Sequence, residues 1–178
     1  MKPQLQQNIF LIGFMGAGKT TVSRRLAKKC CSASVDLDFF IERNAGMSIS
    51  SIFDTYGENG FRDMETECLE QVCNFKGKSI ISCGGGVVVR QKNIEIMKNN
   101  GVIVHLLTDV ESSFERITDK STRPLFSDRE AVQKRYDERI DLYNEATDFI
   151  VDTRGQTTSN VIYFCMRELS RKKLLIYK

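Results

Sequence analysis

A three-layer α/β/α domain with a central five-stranded parallel sheet is the fold class this sequence predicts, and two observations predict it. Five short apolar segments, NIFLIG (8–13), SVDLD (34–38), SIISC (79–83), VIVHLL (102–107) and DFIVD (148–152), are spread along the 178 residues. They are rich in β-branched residues, as strands covered on both faces are. The gaps between them have the length and pattern of helices, and strands joined through helices line up in parallel with right-handed crossovers.

Along the chain, the first strand runs into a glycine loop and then TTVSRRLAKKC, whose apolar residues recur at helical spacing. The second connection holds FFIERNAG, SISSIFDTYG and FRDMETECLEQVCNF, all helical in pattern. VRQKNIEIMKNNG leads to the fourth strand, with Gly101 placed as a glycine C-cap. Thr108-Asp-Val-Glu111 has the capping-box pattern and predicts a helix over VESSFERITD. A last helix is expected over about 159–173, its end solvated by the basic tail RKKLLIYK. No repeat, low-complexity tract or linker interrupts this order, so residues 1–178 read as one domain.

Composition narrows the function. Apolar residues make up 41% and charged residues 28%, ordinary values for a globular chain. No apolar stretch approaches the roughly 18–20 residues that span a bilayer. MKPQLQQN has neither a signal-peptide core nor a transit-peptide composition, so a cytoplasmic location without membrane partners is expected. A net charge of +3 and the lack of a basic-aromatic stripe argue against a nucleic-acid partner. Six cysteines without a C-x-x-C, in a chain of this length, read as reduced and structural. The single histidine, His105, lies within an apolar run, which argues against a Cys/His zinc site or a Ser-His-Asp triad.

Residues 13–20, GFMGAGKT, match the phosphate-binding loop G-x-x-x-x-G-K-[ST]. Gly13, Gly16 and Gly18 let backbone N–H groups converge on anionic oxygens around Ala17, and the following helix adds its positive end. Lys19 is placed to reach the β- and γ-phosphates, and the Thr20 hydroxyl to meet Mg²⁺. A GTPase would need a later N-K-x-D, which is absent, and the third strand ends in CGGG where a motor ATPase would carry an acid. Both point to a small molecule accepted beside the phosphates.

Asp36 and Asp38, read as i and i+2 on one strand face, are expected to point into the crevice at the sheet's carboxyl edge. One would hold a magnesium-bound water and the other accept a hydroxyl proton; alternatively, one of them caps FFIERNAG. Arg62 and Glu65 share a helix face, so Arg62 reads as a fork for a substrate carboxylate, as half of an ion pair, or as both. Gly84, Gly85 and Gly86 offer backbone donors and close approach.

Taken together, GFMGAGKTT, DLD, SIFDTYGENGFRDMETE, the glycine triplet, TRPLF and RIDLYNEA resemble the shikimate kinase family, from Ile9 to about Val161. The resemblance implies a phosphate-loop kinase fold with a substrate-binding region over about 36–65 and a mobile lid over about 117–129. It implies transfer of phosphate from ATP, with Mg²⁺, to the 3-hydroxyl of shikimate on the route to chorismate and the aromatic amino acids, by a monomer. Asp38 would contact the accepting hydroxyl, and Asp36 would hold the magnesium shell. Arg62 and Arg139 would clamp the carboxylate, the glycine triplet would bind ring hydroxyls, and Phe53 and Phe61 would be walls. Arg123 would close over the phosphates, Arg116 would stack on adenine, and Thr21 would complete the nucleotide loop. Leu37 within D-x-D departs from the usual small polar residue, and VDTRGQTTSN lacks a proline some members place near adenine, which leaves the adenine contacts open. A kinase of another polyol acid such as gluconate, or a nucleotide-dependent regulator without transfer chemistry, is the competing reading.

Overall fold

The computed structural model describes residues 2–116 and 128–177. Their elements run β1 (Pro3–Leu5), β2 (Asn8–Ile12), α1 (Lys19–Lys29), β3 (Ala33–Asp36), α2 (Leu37–Ala45), α3 (Ile49–Cys73) and β4 (Ser79–Ser82). A 3-10 turn (Val87–Val89) leads to α4 (Gln91–Asn100), β5 (Gly101–Leu107), α5 (Val110–Arg116), α6 (Arg129–Ala146), β6 (Phe149–Asp152), α7 (Thr158–Arg171) and β7 (Leu175–Tyr177).

The five expected strands form one parallel sheet in the order β3-β4-β2-β5-β6. The chain leaves β2 toward one edge and later returns to its other side as β5. A crevice therefore opens beyond the carboxyl end of β2, where open α/β sheets hold ligands. Alternation along β2 shows why its sequence is apolar throughout. Phe10 and Ile12 belong to the core layer packed with α2, α3, α4 and α6, while Ile9 and Leu11 face the layer of α1 and α7.

Several local expectations need correction. The tail does not simply solvate a helix end: β7 pairs antiparallel with β1, and Leu5, Leu174 and Leu175 close the second core layer. Asp38 is not on a strand; the chain turns into α2 at Leu37 because Asp36 caps that helix, accepting from the Phe39 N–H at 3.3 Å. The acceptor for α5 is Asp109, not Thr108, bonding the Ser112 N–H at 2.7 Å. Gly101 does cap the C-terminus of α4, but in an extended conformation with φ 171° rather than a left-handed one; a Cβ there would come within 2.9 Å of the Asn8 carbonyl carbon where β2 and β5 meet. The long helix α6 has no counterpart among the helices read from the sequence.

The two helical stretches read over 48–75 form the single element α3, broken at Gly57. There φ 68° and ψ −177° lie in a region only glycine occupies readily.

His105 is buried, as expected, with Nδ1 3.2 Å from Asn144 Oδ1 and its ring 5.2 Å from that of Tyr143. Burial pushes its pKa down to about 4, against the hydrogen bond to Asn144. An unfolded histidine titrates near 6.5, so the unfolded chain takes up the proton first; the contribution is complete above that pH and is lost as pH falls toward 4. Urea unfolding should show stability falling below pH 6.5, with a slope approaching about 1.4 kcal/mol per pH unit. His105→Asn should flatten the interval from about pH 6.5 to 5.5, above the carboxylate titrations; an unchanged slope would assign the proton to another group.

Candidate active site

The loop between β2 and α1 encloses its backbone donors. Gly16 has φ 79°, and a Cβ on it would sit 2.8 Å from Ser113 Cα, so only glycine lets the loop lie against α5. Ser113 Oγ donates to Met15 O at 2.8 Å and pins the same turn. Helix α1 starts with Gly18 as its cap, with no side-chain acceptor and no acid in its first turn. Its first N–H groups and the positive end of its dipole are thus left to a ligand. Lys19 Nζ bonds the carbonyl oxygens of Gly13 and Phe14 at 2.8 and 3.0 Å, which holds the ammonium across the loop.

Beside the loop, Thr20 Oγ1 donates to Asp36 Oδ2 at 2.7 Å, with Ser82 Oγ 3.4 Å away. Asp36 therefore caps α2, the alternative the sequence left open, and also accepts from the Thr20 hydroxyl. Among the described residues no group of three or more His, Cys, Asp and Glu side chains is gathered to hold a metal. A hydroxyl and one carboxylate next to a phosphate loop instead suit Mg²⁺, which takes few protein ligands and completes its shell with water and phosphate oxygens.

The cleft extends from this loop, with a volume of about 1370 Å³, to a second end lined by arginine side chains. There Arg62, only 6% exposed, pairs with Glu65 at 2.8 Å and Glu58 at 3.3 Å and lies 5.1 Å over the Phe61 ring. Burial pushes the Glu65 carboxyl above the usual carboxylate range, against the pull of Arg62. The glycine triplet makes this arrangement fit. A Cβ on Gly84 would stand 2.6 Å from Asp38 Oδ1, and one on Gly86 would overlap the Arg62 guanidinium. Gly85 contributes its carbonyl oxygen, which accepts from the Tyr143 hydroxyl and, at 3.3 Å, from Arg139 Nη1. Burial raises the Tyr143 pKa to about 12, so it remains a neutral donor. Burial also holds Arg139 below the usual arginine value, as do the nearby Arg62 and Arg135 charges.

Most residues singled out from the sequence meet in this one cleft: Gly16 through Thr21 at one end, Asp36 and Asp38 between, and Phe53, Arg62, Gly85, Gly86 and Arg139 at the other. Three do not line it. Gly13 serves through its carbonyl, Gly84 lies behind Asp38, and Phe61 backs Phe53, their rings stacked at 4.7 Å. Arg116 lines the nucleotide end and is held by Thr153 Oγ1 at 3.0 Å and by Thr153 O. Arg123 and most of the expected lid lie outside the described residues; 128 and 129 are the cap and start of α6.

The sequence reading missed Glu58, Arg135 and Tyr143, and it left open Thr153 and Gln156, which line the nucleotide end. Arg135 and Tyr143 each stand four residues from Arg139, so α6, once recognised, would have placed all three on one face.

A family model described as shikimate kinase matches residues 15–170. A shikimate kinase from Thermodesulfovibrio yellowstonii is 40% identical over 168 residues, covering 93% of this chain and 96% of its own. The structure of shikimate kinase from Acinetobacter baumannii in complex with shikimate superposes with a TM-score of 0.88 at 33% identity, covering 94% and 95% of the two chains. A gluconokinase from Sinorhizobium meliloti shares the fold alone, with a TM-score of 0.63 at 14% identity over 94% of each chain. With the phosphate loop, the glycine triplet and the arginine-lined pocket in one cleft, these matches give the family: the chain belongs to the shikimate kinases.

Proposed function

We propose that this chain transfers the γ-phosphoryl group of ATP to the 3-hydroxyl of shikimate, giving shikimate 3-phosphate and ADP, as the family resemblance implies. The observation that carries the reading is the polarity of one cleft: a phosphate loop at one end, Asp38 between, and buried guanidinium groups at the other. Phosphoryl transfer requires an in-line nucleophile and cations around the travelling charge, and little covalent chemistry from the protein.

In this assignment the α1 amino end and Lys19 hold the triphosphate, with Arg116 beside the adenine end. Thr20 and Asp36 hold Mg²⁺, which neutralises phosphate charge when bound. Arg62 and Arg139 bind the shikimate carboxylate, and Phe53, backed by Phe61, limits the ring on one side. The glycine triplet allows the ring hydroxyls to approach the backbone. Asp38 takes the proton as the 3-hydroxyl oxygen bonds to phosphorus and the bond to the ADP oxygen breaks. Arg123 would add a further cation over the phosphates. The family resemblance implies a monomer in the cytoplasm; no helix among the described residues is long and apolar enough to cross a membrane.

A coupled ADP-release assay with Mg-ATP, comparing shikimate, gluconate and no acceptor, tests the reading. Shikimate should raise ADP release far above the other two; equal rates would sink the acceptor assignment. Asp38→Asn should lower kcat by about a hundredfold or more while leaving ATP binding intact, and retained turnover would remove Asp38 from proton transfer.

The two arginines should separate. Arg139→Ala should raise the KM for shikimate about 10- to 100-fold through loss of a charged hydrogen bond, with little effect on the KM for ATP. Arg62→Ala should also lower the urea midpoint, by about 3–5 kcal/mol in stability, because it leaves Glu65 buried without its partner. Equal KM effects on both substrates from Arg139→Ala would contradict the clamp.

A further inference from the structure

Arg135 has no part in the assignment above, yet it lines the same cleft as Arg62 and Arg139. It stands one turn before Arg139 on α6, which puts the two guanidinium groups on one helix face. Its Nη1 is shielded from solvent and has no hydrogen-bond partner among the described residues. Arg62 Nε and Glu65 Oε1, at the same end of the cleft, are likewise shielded and without a hydrogen-bond partner among the described residues. Buried polar atoms normally have partners, and donors that lack them beside a cleft are placed to meet a polar ligand.

The three arginines are unequally committed. Arg62 gives two nitrogens to Glu58 and Glu65, and Arg139 gives one to the Gly85 carbonyl. Arg135 makes neither an ion pair nor a hydrogen bond among the described residues. An ionised carboxylate has about four acceptor sites, and a guanidinium not already turned to a protein acceptor is the one most available to them. On the reading of the acceptor just proposed, we infer that Arg135 is a third binding residue for the acceptor carboxylate, supplying a guanidinium that has no ion-pair partner among the described residues. Arg62 then binds with its charge already met by Glu58 and Glu65, and Arg135 and Arg139 supply the excess positive charge that selects an acidic acceptor.

Steady-state kinetics of Arg135→Leu and Arg135→Lys, with shikimate and with its carboxamide, test this. Arg135→Leu should raise the KM for shikimate about tenfold, the worth of a charged hydrogen bond, and leave the KM for ATP within about twofold. With the carboxamide, wild type and variant should be equally poor, because the charge that Arg135 reads is absent; Arg135→Lys should recover part of the loss with shikimate. Equal losses on acid and amide would reduce Arg135 to packing, and a rise confined to the KM for ATP would move it to the phosphates; either overturns the inference. If Arg139→Ala weakens shikimate and Arg135→Leu does not, the inference falls while the proposed reaction stands. If wild type does not use shikimate at all, both fall.

Discussion

The acceptor half of the cleft depends on the absence of side chains at residues 84–86. Asp38 comes from α2, Arg62 and Glu65 from α3, and Arg139 and Tyr143 from α6, and all converge on the loop after β4. Side chains at 84 and 86 would occupy the space of Asp38 and the Arg62 guanidinium, while the carbonyl of Gly85 ties α6 to the sheet. The loop is thus less a ligand in its own right than the gap into which three helices deliver charged groups. Close packing leaves no slack to absorb an added methyl there.

The nucleotide half is organised differently. Its donors are backbone groups at the end of β2 and the start of α1, so their geometry follows from the sheet itself. A hydrogen bond from Thr20 to Asp36 links the halves, and Asp36 also starts α2, which carries Asp38 two residues on. The buried Arg62–Glu65 pair adds rigidity more than stability. Removing two charges from water costs about as much as their attraction returns, but the pair fixes where a positive charge stands.

The β-strands and the phosphate loop were legible because their signals are local: continuous apolar runs and a glycine spacing with one physical use. What failed was non-local or very short. The three-residue strands β1 and β7 carry no periodicity, and only their pairing reveals them. Helix α6 buries Val132, Tyr143 and Ala146 among many charged residues, so its apolar stripe is thin; the Asp128 cap and the bonds to Gly85 hold it instead. Asp36 and Asp38 were placed in the right site by the wrong geometry, because a capping carboxylate ended the strand two residues early. Arg135 went unnoticed for the same reason as α6.

The break at Gly57 acts as a fixed joint between two jaws. The stretch of α3 before it carries Phe53 and the stretch after it carries Arg62, so one dihedral pair sets the angle between an aromatic plate and a cationic one. Nothing lies within 4 Å of where a Cβ at Gly57 would sit, and the cost of a larger residue there is conformational, not steric. The setting of Phe53 against Arg62 in the acceptor pocket therefore depends on a residue that does not itself line the cleft.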